Sequence, residues 1–270
     1  MFTTRSILKP GDKGIDVAVL QFQLRQLHYK LGVSLSIPDV HSVFDRSTLE
    51  AVMEFQRLVG IFPCPLINID TRTALSRMLS EKGIAPPNIV NHNITLIPQP
   101  TKVDCWAAST AMMTNSTVPL VLSKVPNDIR THHPDNSIWG DIFDGLLSRR
   151  SGGLDMGVKS GKGIDSRFAS TFNLQQYGPQ SWSAHGFRKA LRESPLMLAQ
   201  LHGEDFNSTR GGHAVVISAM VGDNNDSSGM ETYIQKLDPW PVGIGEIVWE
   251  AYHELLSKKP LATYSIFARK

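Results

Sequence analysis

The sequence predicts an α+β protein in two parts, a small three-helix N-terminal domain and a larger domain with a helix near its start and an antiparallel sheet near its end. Three observations predict this class. Apolar residues recur at helical spacing up to residue 83, a proline- and asparagine-rich stretch occupies 84–98, and apolar runs typical of strands follow residue 213. We therefore place the domains at 1–83 and 99–270, with a linker at 84–98.

The three predicted helices each follow a turn or a capping residue. The first begins after the turn at 10–14 and has its apolar positions at helical spacing from Val17 to Leu27. The second follows Asp45, and the third begins near Asp70. Taken alone, the glutamines that follow an apolar residue in the first two helices are expected to be solvated. These residues are Gln21 and Gln56.

The N-terminal segment as a whole resembles the peptidoglycan-binding domain of the three-helix type. The matching residues are Gly11, Gly14, Val17, Leu20, Gln21, Leu24, Phe44, Asp45, Thr48, Ala51, Val52, Phe55, Gln56, Gly60, Ile61, Ile69, Asp70 and Thr73. The resemblance implies a wall-binding module, with a structural spacer or propeptide-like cover as the alternative. Asp45 after Phe44, and the turn Pro63-Cys64-Pro65, depart from the family near its ligand groove.

Composition excludes several function classes. The 270 residues carry a net charge of +2 without any block of like charges, whereas nucleic-acid binders concentrate basic residues on one face. No apolar run has the length of a membrane span, and the N-terminus lacks a secretory signal. Together with the resemblance to a peptidoglycan-binding domain, this implies a bacterial protein exported without a cleavable signal, which acts in the periplasm or cell wall or in a target cell. The two cysteines are too few for a thiolate zinc site.

A predicted nucleophile opens the second domain. Cys105 begins a helix-like stretch behind Asp104, the expected N-cap, so its thiol meets the N–H groups and positive dipole of a helix start, which favour the thiolate. Gln99 lies six residues earlier and can fold back to donate to an oxyanion together with the Cys105 N–H. A small buried cysteine is the alternative.

His213 is the predicted base. Gly212 and His213 lead into an apolar strand, a turn spans 221–230, and a second strand ends at Asp238. If these strands form a hairpin centred on the turn, His213 lies opposite Asp238, and the carboxylate orients the imidazole towards the thiol. A core histidine and a turn carboxylate are the alternatives.

Three patterns together resemble the papain-like cysteine peptidases, closest to the bacterial effector branch that includes the avirulence-protease type. They are Gln-x5-Cys-Trp-Ala from Gln99, Gly-His before a strand at Gly212, and Asp-Pro-Trp-Pro from Asp238. The resemblance implies a papain-like fold for 99–270, with catalytic Cys105, His213 and Asp238 and with Gln99 in the oxyanion hole. Substrate contacts are expected from Trp106, Gly212 and Trp240, with core packing as the alternative for the tryptophans.

Two other motifs match known sites only superficially. His132-His133 lacks the His-Glu-x-x-His spacing of a zinc site, and Gly163 stands where a P-loop requires Ser or Thr after its lysine. We expect neither a metal nor another cofactor.

The predicted function is hydrolysis of an amide bond by a Cys-His-Asp mechanism. A wall-binding module on the same chain favours peptidoglycan stem peptides, because it raises the local substrate concentration. This describes a wall hydrolase or a secreted antibacterial effector, with an immunity protein or a secretion apparatus as expected partners. The alternatives are an effector protease that cleaves target proteins and a non-catalytic wall-binding protein on a peptidase scaffold.

Overall fold

The computed structural model describes residues 7–101, 104–124, 164–178, 180–200, 213–258 and 264–270. Its helices are α1 (Ile15–Leu31), α2 (Arg46–Leu58), α3 (Ile69–Glu81), α4 (Cys105–Thr114), α5 (Val118–Lys124), α6 (Ile164–Thr171), α7 (Ala184–Glu193) and α8 (Tyr252–Lys258). Its strands are β1 (Asn88–Asn91), β2 (Leu174–Tyr177), β3 (Leu196–Gln200), β4 (His213–Gly222), β5 (Thr232–Asp238), β6 (Glu246–Ala251) and β7 (Tyr264–Arg269).

The predicted α+β class is confirmed, since helices come first and an antiparallel seven-stranded sheet follows. The strand order is β2-β7-β3-β4-β5-β6, and β1 also pairs with β4. Strand β3 lies between β7 and β4, and its register sets Gln200 opposite His213 and Leu196 opposite Ile217. None of the helices within the described ranges is both long and apolar enough to cross a membrane.

The chain divides into two compact units whose limits differ from the predicted domains. The first unit comprises Met1–Asn91, Ala219–Ile234 and Trp249–His253, and the second comprises the remaining residues from His92 onward. The predicted linker at 84–98 contains β1, which pairs with residues 219–222 of β4. The first unit therefore combines the N-terminal helices with part of the sheet.

Helix α1 is buried on more than one side within the first unit. Val17 and Leu20 belong to the core formed with α2 and α3. Ala18 and Phe22 belong to a second cluster that includes Val221 of β4. A helix that packs on two sides loses the one-sided apolar pattern of a surface helix, which explains why all residues from Val17 to Leu24 are buried.

A buried side-chain amide ties the end of the first inter-helix loop to α2. Gln21 is fully buried, and its Nε2 donates to the carbonyl of Val43 and to Oγ1 of Thr48, both at 2.9 Å. Its Oε1 accepts from the N–H groups of residues 41–42 at 3.1 and 3.0 Å. The N–H of Thr48 in turn donates to Oδ1 of the N-cap Asp45 at 2.9 Å.

The same arrangement recurs one helix later. Nε2 of the fully buried Gln56 donates to the carbonyl of Leu66 and to Oγ1 of Thr71, both at 3.1 Å. Its Oε1 accepts from the Cys64 N–H at 2.8 Å. The Thr71 N–H donates to Oδ1 of the N-cap Asn68 at 3.0 Å. We call these two networks the glutamine locks.

The glutamine locks bear on two expectations for the helical domain. Gln21 and Gln56 are buried rather than solvated, because each pairs with backbone groups of the inter-helix loop that follows its own helix. The third helix begins at Ile69, in agreement with the expected start near Asp70, and the side chain of its N-cap Asn68 accepts from the Thr71 N–H.

Candidate active site

The helix that carries Cys105 is packed into the core of the second unit. Helix α4 begins at Cys105, which is 4% exposed, and its small residues Ala107, Ala108 and Ala111 are fully buried. Small side chains let a helix approach its neighbours closely, so the thiol is held at a fixed point. The nucleophile predicted from sequence therefore lies at a helix N-terminus, as expected.

Asp104 occupies the N-cap position without capping the helix. Its side chain makes no cap hydrogen bond, and its Oδ2 instead accepts from Oγ1 of Thr101 at 2.6 Å. Burial raises the pKa of this carboxyl, and the Thr101 hydrogen bond offsets only part of that effect. Burial thus disfavours the charged form of the carboxyl that precedes Cys105.

A buried hydrogen bond joins the cysteine helix to the histidine strand. Oγ of Ser109, one turn after Cys105, donates to the carbonyl of Ala214 at 2.9 Å. Ala214 directly follows His213 in β4. The role of Ser109 is not visible in the sequence, since a serine in an alanine-rich helix gives no local signal of a partner so distant in the chain.

The contact predicted by the hairpin is present. Nε2 of His213 lies 2.7 Å from Oδ1 of Asp238, and the two side chains are 23% and 19% exposed. His213 begins β4, Asp238 ends β5, and the two strands are neighbours in the sheet. The Trp240 N–H donates to the same Oδ1 at 2.9 Å, which fixes the carboxylate from its other side.

The electrostatics of the site favour a charged imidazole. Burial lowers the pKa of His213, but hydrogen bonds and charge interactions with Asp238 and Cys105 outweigh it and raise the pKa to about 9. Burial raises the pKa of Asp238, yet the hydrogen bond and charge of His213 bring it below the ordinary value. Because Nε2 is bonded to the carboxylate, Nδ1 is the ring nitrogen left for the thiol.

Gln99 is buried and held by three hydrogen bonds. Its Nε2 donates to the carbonyl of Thr101 at 2.7 Å, which uses one of the two amide hydrogens. Its N–H donates to the carbonyl of Pro239, and its own carbonyl accepts from the Gly243 N–H. Its Oε1 has no hydrogen-bond partner among the described residues. The second amide hydrogen is the group that an oxyanion requires.

The predicted substrate contacts divide into three cases. Trp106 is fully buried and meets Phe168 edge-on, with ring centroids 6.1 Å apart, so core packing replaces the expected cleft position. Trp240 is 46% exposed and lies two residues after Asp238, so it remains a candidate. Gly212 lies outside the described residues, as do the His132-His133 pair and the 157–163 segment.

No group of three or more His, Cys, Asp and Glu side chains that would suit a metal ion occurs within the described ranges. The groups that the site presents are a thiol, an imidazole, a carboxylate and neighbouring amides.

Comparisons with known proteins give only distant likenesses. No protein family and no curated protein matches the chain. The SleB N-terminal domain is similar over 28% of this chain and 94% of its own, with 25% sequence identity and a TM-score of 0.25. The Salmonella effector SpvD, in its G161 variant, is similar over 76% of this chain and 93% of its own, with 13% identity and a TM-score of 0.27.

Proposed function

We propose that the protein is a cysteine hydrolase of amide bonds in which Cys105 is the nucleophile, His213 the acid and base, and Asp238 the residue that orients His213. One observation carries this proposal. The partly buried imidazole of His213 is hydrogen-bonded to the Asp238 carboxylate at 2.7 Å and interacts with Cys105 at the start of a helix. A nucleophile, a base and an orienting group in series are the parts that nucleophilic acyl transfer needs.

The reaction begins from a thiolate and a protonated imidazole. A His213 pKa of about 9 keeps the ring charged at neutral pH, and a neighbouring positive charge favours the thiolate of a cysteine. Sulfur attacks the carbonyl carbon, a C–S bond forms, and the carbonyl electron pair moves to oxygen. When that pair returns, the C–N bond breaks and His213 gives its proton to the departing amine.

Water completes the cycle. The neutral His213 removes a proton from water as its oxygen attacks the thioester carbon, and the C–S bond then breaks to release a carboxylic acid and the thiolate. The Asp238 carboxylate stabilises the imidazolium that forms again. Gln99, through its second amide hydrogen, and the Cys105 N–H stabilise the oxyanion in both steps.

We propose peptidoglycan stem peptides as the substrate. The support is the resemblance of the N-terminal sequence to the three-helix peptidoglycan-binding domain, because a module that binds the wall concentrates the enzyme there. Purified protein incubated with sacculi should release soluble muropeptides with a newly cleaved amide bond, identified by mass spectrometry. Cys105→Ala, which keeps the small side chain that the helix needs, should release none.

Thiol labelling tests the mechanism independently of the substrate. Iodoacetamide should modify Cys105 quickly near neutral pH in the wild type and more slowly in His213→Ala, whereas Cys64 should label equally in both and serves as an internal control. Equal slow labelling of Cys105 in both proteins would support the non-catalytic alternative.

A second candidate substrate, a protein, is favoured by exposed apolar side chains near Asp238. Trp240, Ile244 and Ile247 are 46%, 72% and 50% exposed, and they lie on or beside one loop. Large exposed apolar groups beside a catalytic carboxylate suit a substrate with large apolar side chains. Cleavage of an unfolded protein without release of muropeptides from sacculi would select this candidate.

A further inference from the structure

One loop contacts both predicted sides of the active site. The segment 239–245 joins β5 to β6 and makes two backbone hydrogen bonds with Gln99. The Gln99 N–H donates to the carbonyl of Pro239 at 3.0 Å, and the Gly243 N–H donates to the carbonyl of Gln99 at 2.9 Å. The backbone that carries the predicted oxyanion amide is thus held by this loop, which we call the 239–245 loop.

The same loop also holds the carboxylate of Asp238. Its Trp240 N–H donates to Oδ1 of Asp238, the oxygen that also contacts His213. The loop is closed on itself because the Gly245 N–H donates to the carbonyl of Pro241 at 2.8 Å. A displacement of the loop would therefore move the amide of Gln99 and the carboxylate of Asp238 together.

Two glycines of the loop share a backbone conformation but differ in their surroundings. Gly243 and Gly245 have φ angles of +72° and +66°, which side chains rarely adopt. A Cβ at Gly245 would lie 2.9 Å from Cδ2 of Leu96 and 3.2 Å from the carbonyl oxygen of Asp238, whereas a Cβ at Gly243 would meet nothing within 4 Å. Only Gly245 therefore requires close approach as well as a positive φ.

We propose that Gly245 is a positioning residue of the active site, whose missing side chain lets Leu96 and the Asp238 carbonyl close on the 239–245 loop. This close packing fixes the Asp238–His213 pair relative to the segment from Leu96 to Gln99. The inference rests on the proposed function, since it concerns the geometry of the same catalytic groups.

The test compares Gly245→Ala with the matched control Gly243→Ala. Both changes place a methyl group at a positive φ and keep every backbone N–H, including the one that Gly243 donates to Gln99, but only the first crowds Leu96 and Asp238. Muropeptide release from sacculi should fall by roughly tenfold or more in Gly245→Ala, because small displacements of catalytic groups are costly, and should stay within about threefold of wild type in Gly243→Ala.

A pH profile separates positioning from a general loss of stability. Iodoacetamide labelling of Cys105 should show an alkaline inflection where His213 loses its proton, near pH 9 in the wild type. Displacement of Asp238 weakens the interaction that raises this pKa, so the inflection should move to lower pH in Gly245→Ala and remain in place in Gly243→Ala. Equal profiles and equal release in the two variants would overturn the proposal.

If Gly245→Ala does not fold, a second variant tests the proposal. Leu96→Ala combined with Gly245→Ala removes the closest contact but keeps the methyl group 3.2 Å from the Asp238 carbonyl. The folded double variant should still show the lowered inflection, and a wild-type profile would overturn the proposal. Slow labelling of the wild type, unchanged in His213→Ala, would instead refute the proposed function itself.

Discussion

Replacing Asp238 by asparagine removes one charge from the site while preserving the size of the side chain. The wild-type His213 pKa of about 9 exceeds the ordinary 6.5, which corresponds to about 3 kcal/mol in favour of the protonated ring. Burial opposes this preference, so Asp238 and Cys105 together supply more than that amount. The asparagine oxygen can still accept from Nε2, but its charge interaction is gone.

The expected effect is a fall of the His213 pKa by roughly one to two pH units in Asp238→Asn. The assay is the rate of iodoacetamide labelling of Cys105 between about pH 5 and pH 10, followed by mass spectrometry of the Cys105 peptide, with the alkaline inflection as the readout. Muropeptide release at neutral pH should fall as well, because a smaller fraction of the ring is protonated.

The control is Asp223→Asn, which makes the same carboxylate-to-amide change in the first unit. Asp223 pairs with Lys30 at 2.5 Å and belongs to the β4–β5 turn, so its loss should leave the labelling profile unaltered. An unchanged alkaline inflection in Asp238→Asn would refute the conclusion that this carboxylate sets the charge state of His213. A shift of equal size in Asp223→Asn would show a general electrostatic effect instead.

Three further predictions concern stability. Asp104→Asn should raise the thermal midpoint at about pH 8 and lose this advantage as the pH falls, since a raised carboxyl pKa destabilises the fold only while the group is ionised. Ser109→Ala should lower the free energy of unfolding, measured in urea, by about 1–2 kcal/mol and should slow the labelling of Cys105. Thr114→Val removes a hydroxyl that is bonded within the same helix and should leave the labelling rate unchanged. Gln21→Leu should lower the free energy of unfolding by about 3 kcal/mol or more, because it leaves backbone groups of the loop unpaired. The control Gln175→Leu, at an exposed position, should change the free energy of unfolding little. Equal losses in the two variants would contradict the structural role of the Gln21 lock.

The His213–Asp238 contact was predictable because strand pairing is a local rule. Two apolar runs around one turn determine which residues are opposite, and the structure places these two side chains 2.7 Å apart. Cys105 was predictable for a similar reason, since a helix start is visible in the sequence around it. Their proposed catalytic roles remain predictions that labelling and digestion would test.

The remaining features depend on contacts between distant segments, which no local pattern specifies. The Ser109–Ala214 bond joins residues 105 positions apart, and the Gln99 bonds reach the 239–245 loop. Trp106 gave a misleading signal, because an aromatic residue beside a nucleophile suits a cleft and a core equally well until the packing of α4 is known. The limits of the two units were hidden likewise, since Ala18 and Phe22 pack on strand residues far along the chain.

The glutamine locks hold the backbone of the inter-helix loops without depending on which side chains the loops carry. Each lock fixes its loop through backbone N–H and carbonyl groups, which every residue except proline supplies in full. Side chains that point outward are then free to change without loss of the fold, and Phe62, at 86% exposed, stands beside the second lock. Substitution at such positions would therefore change the surface of the helical domain, while Gln21 and Gln56 keep the backbone of its loops in place.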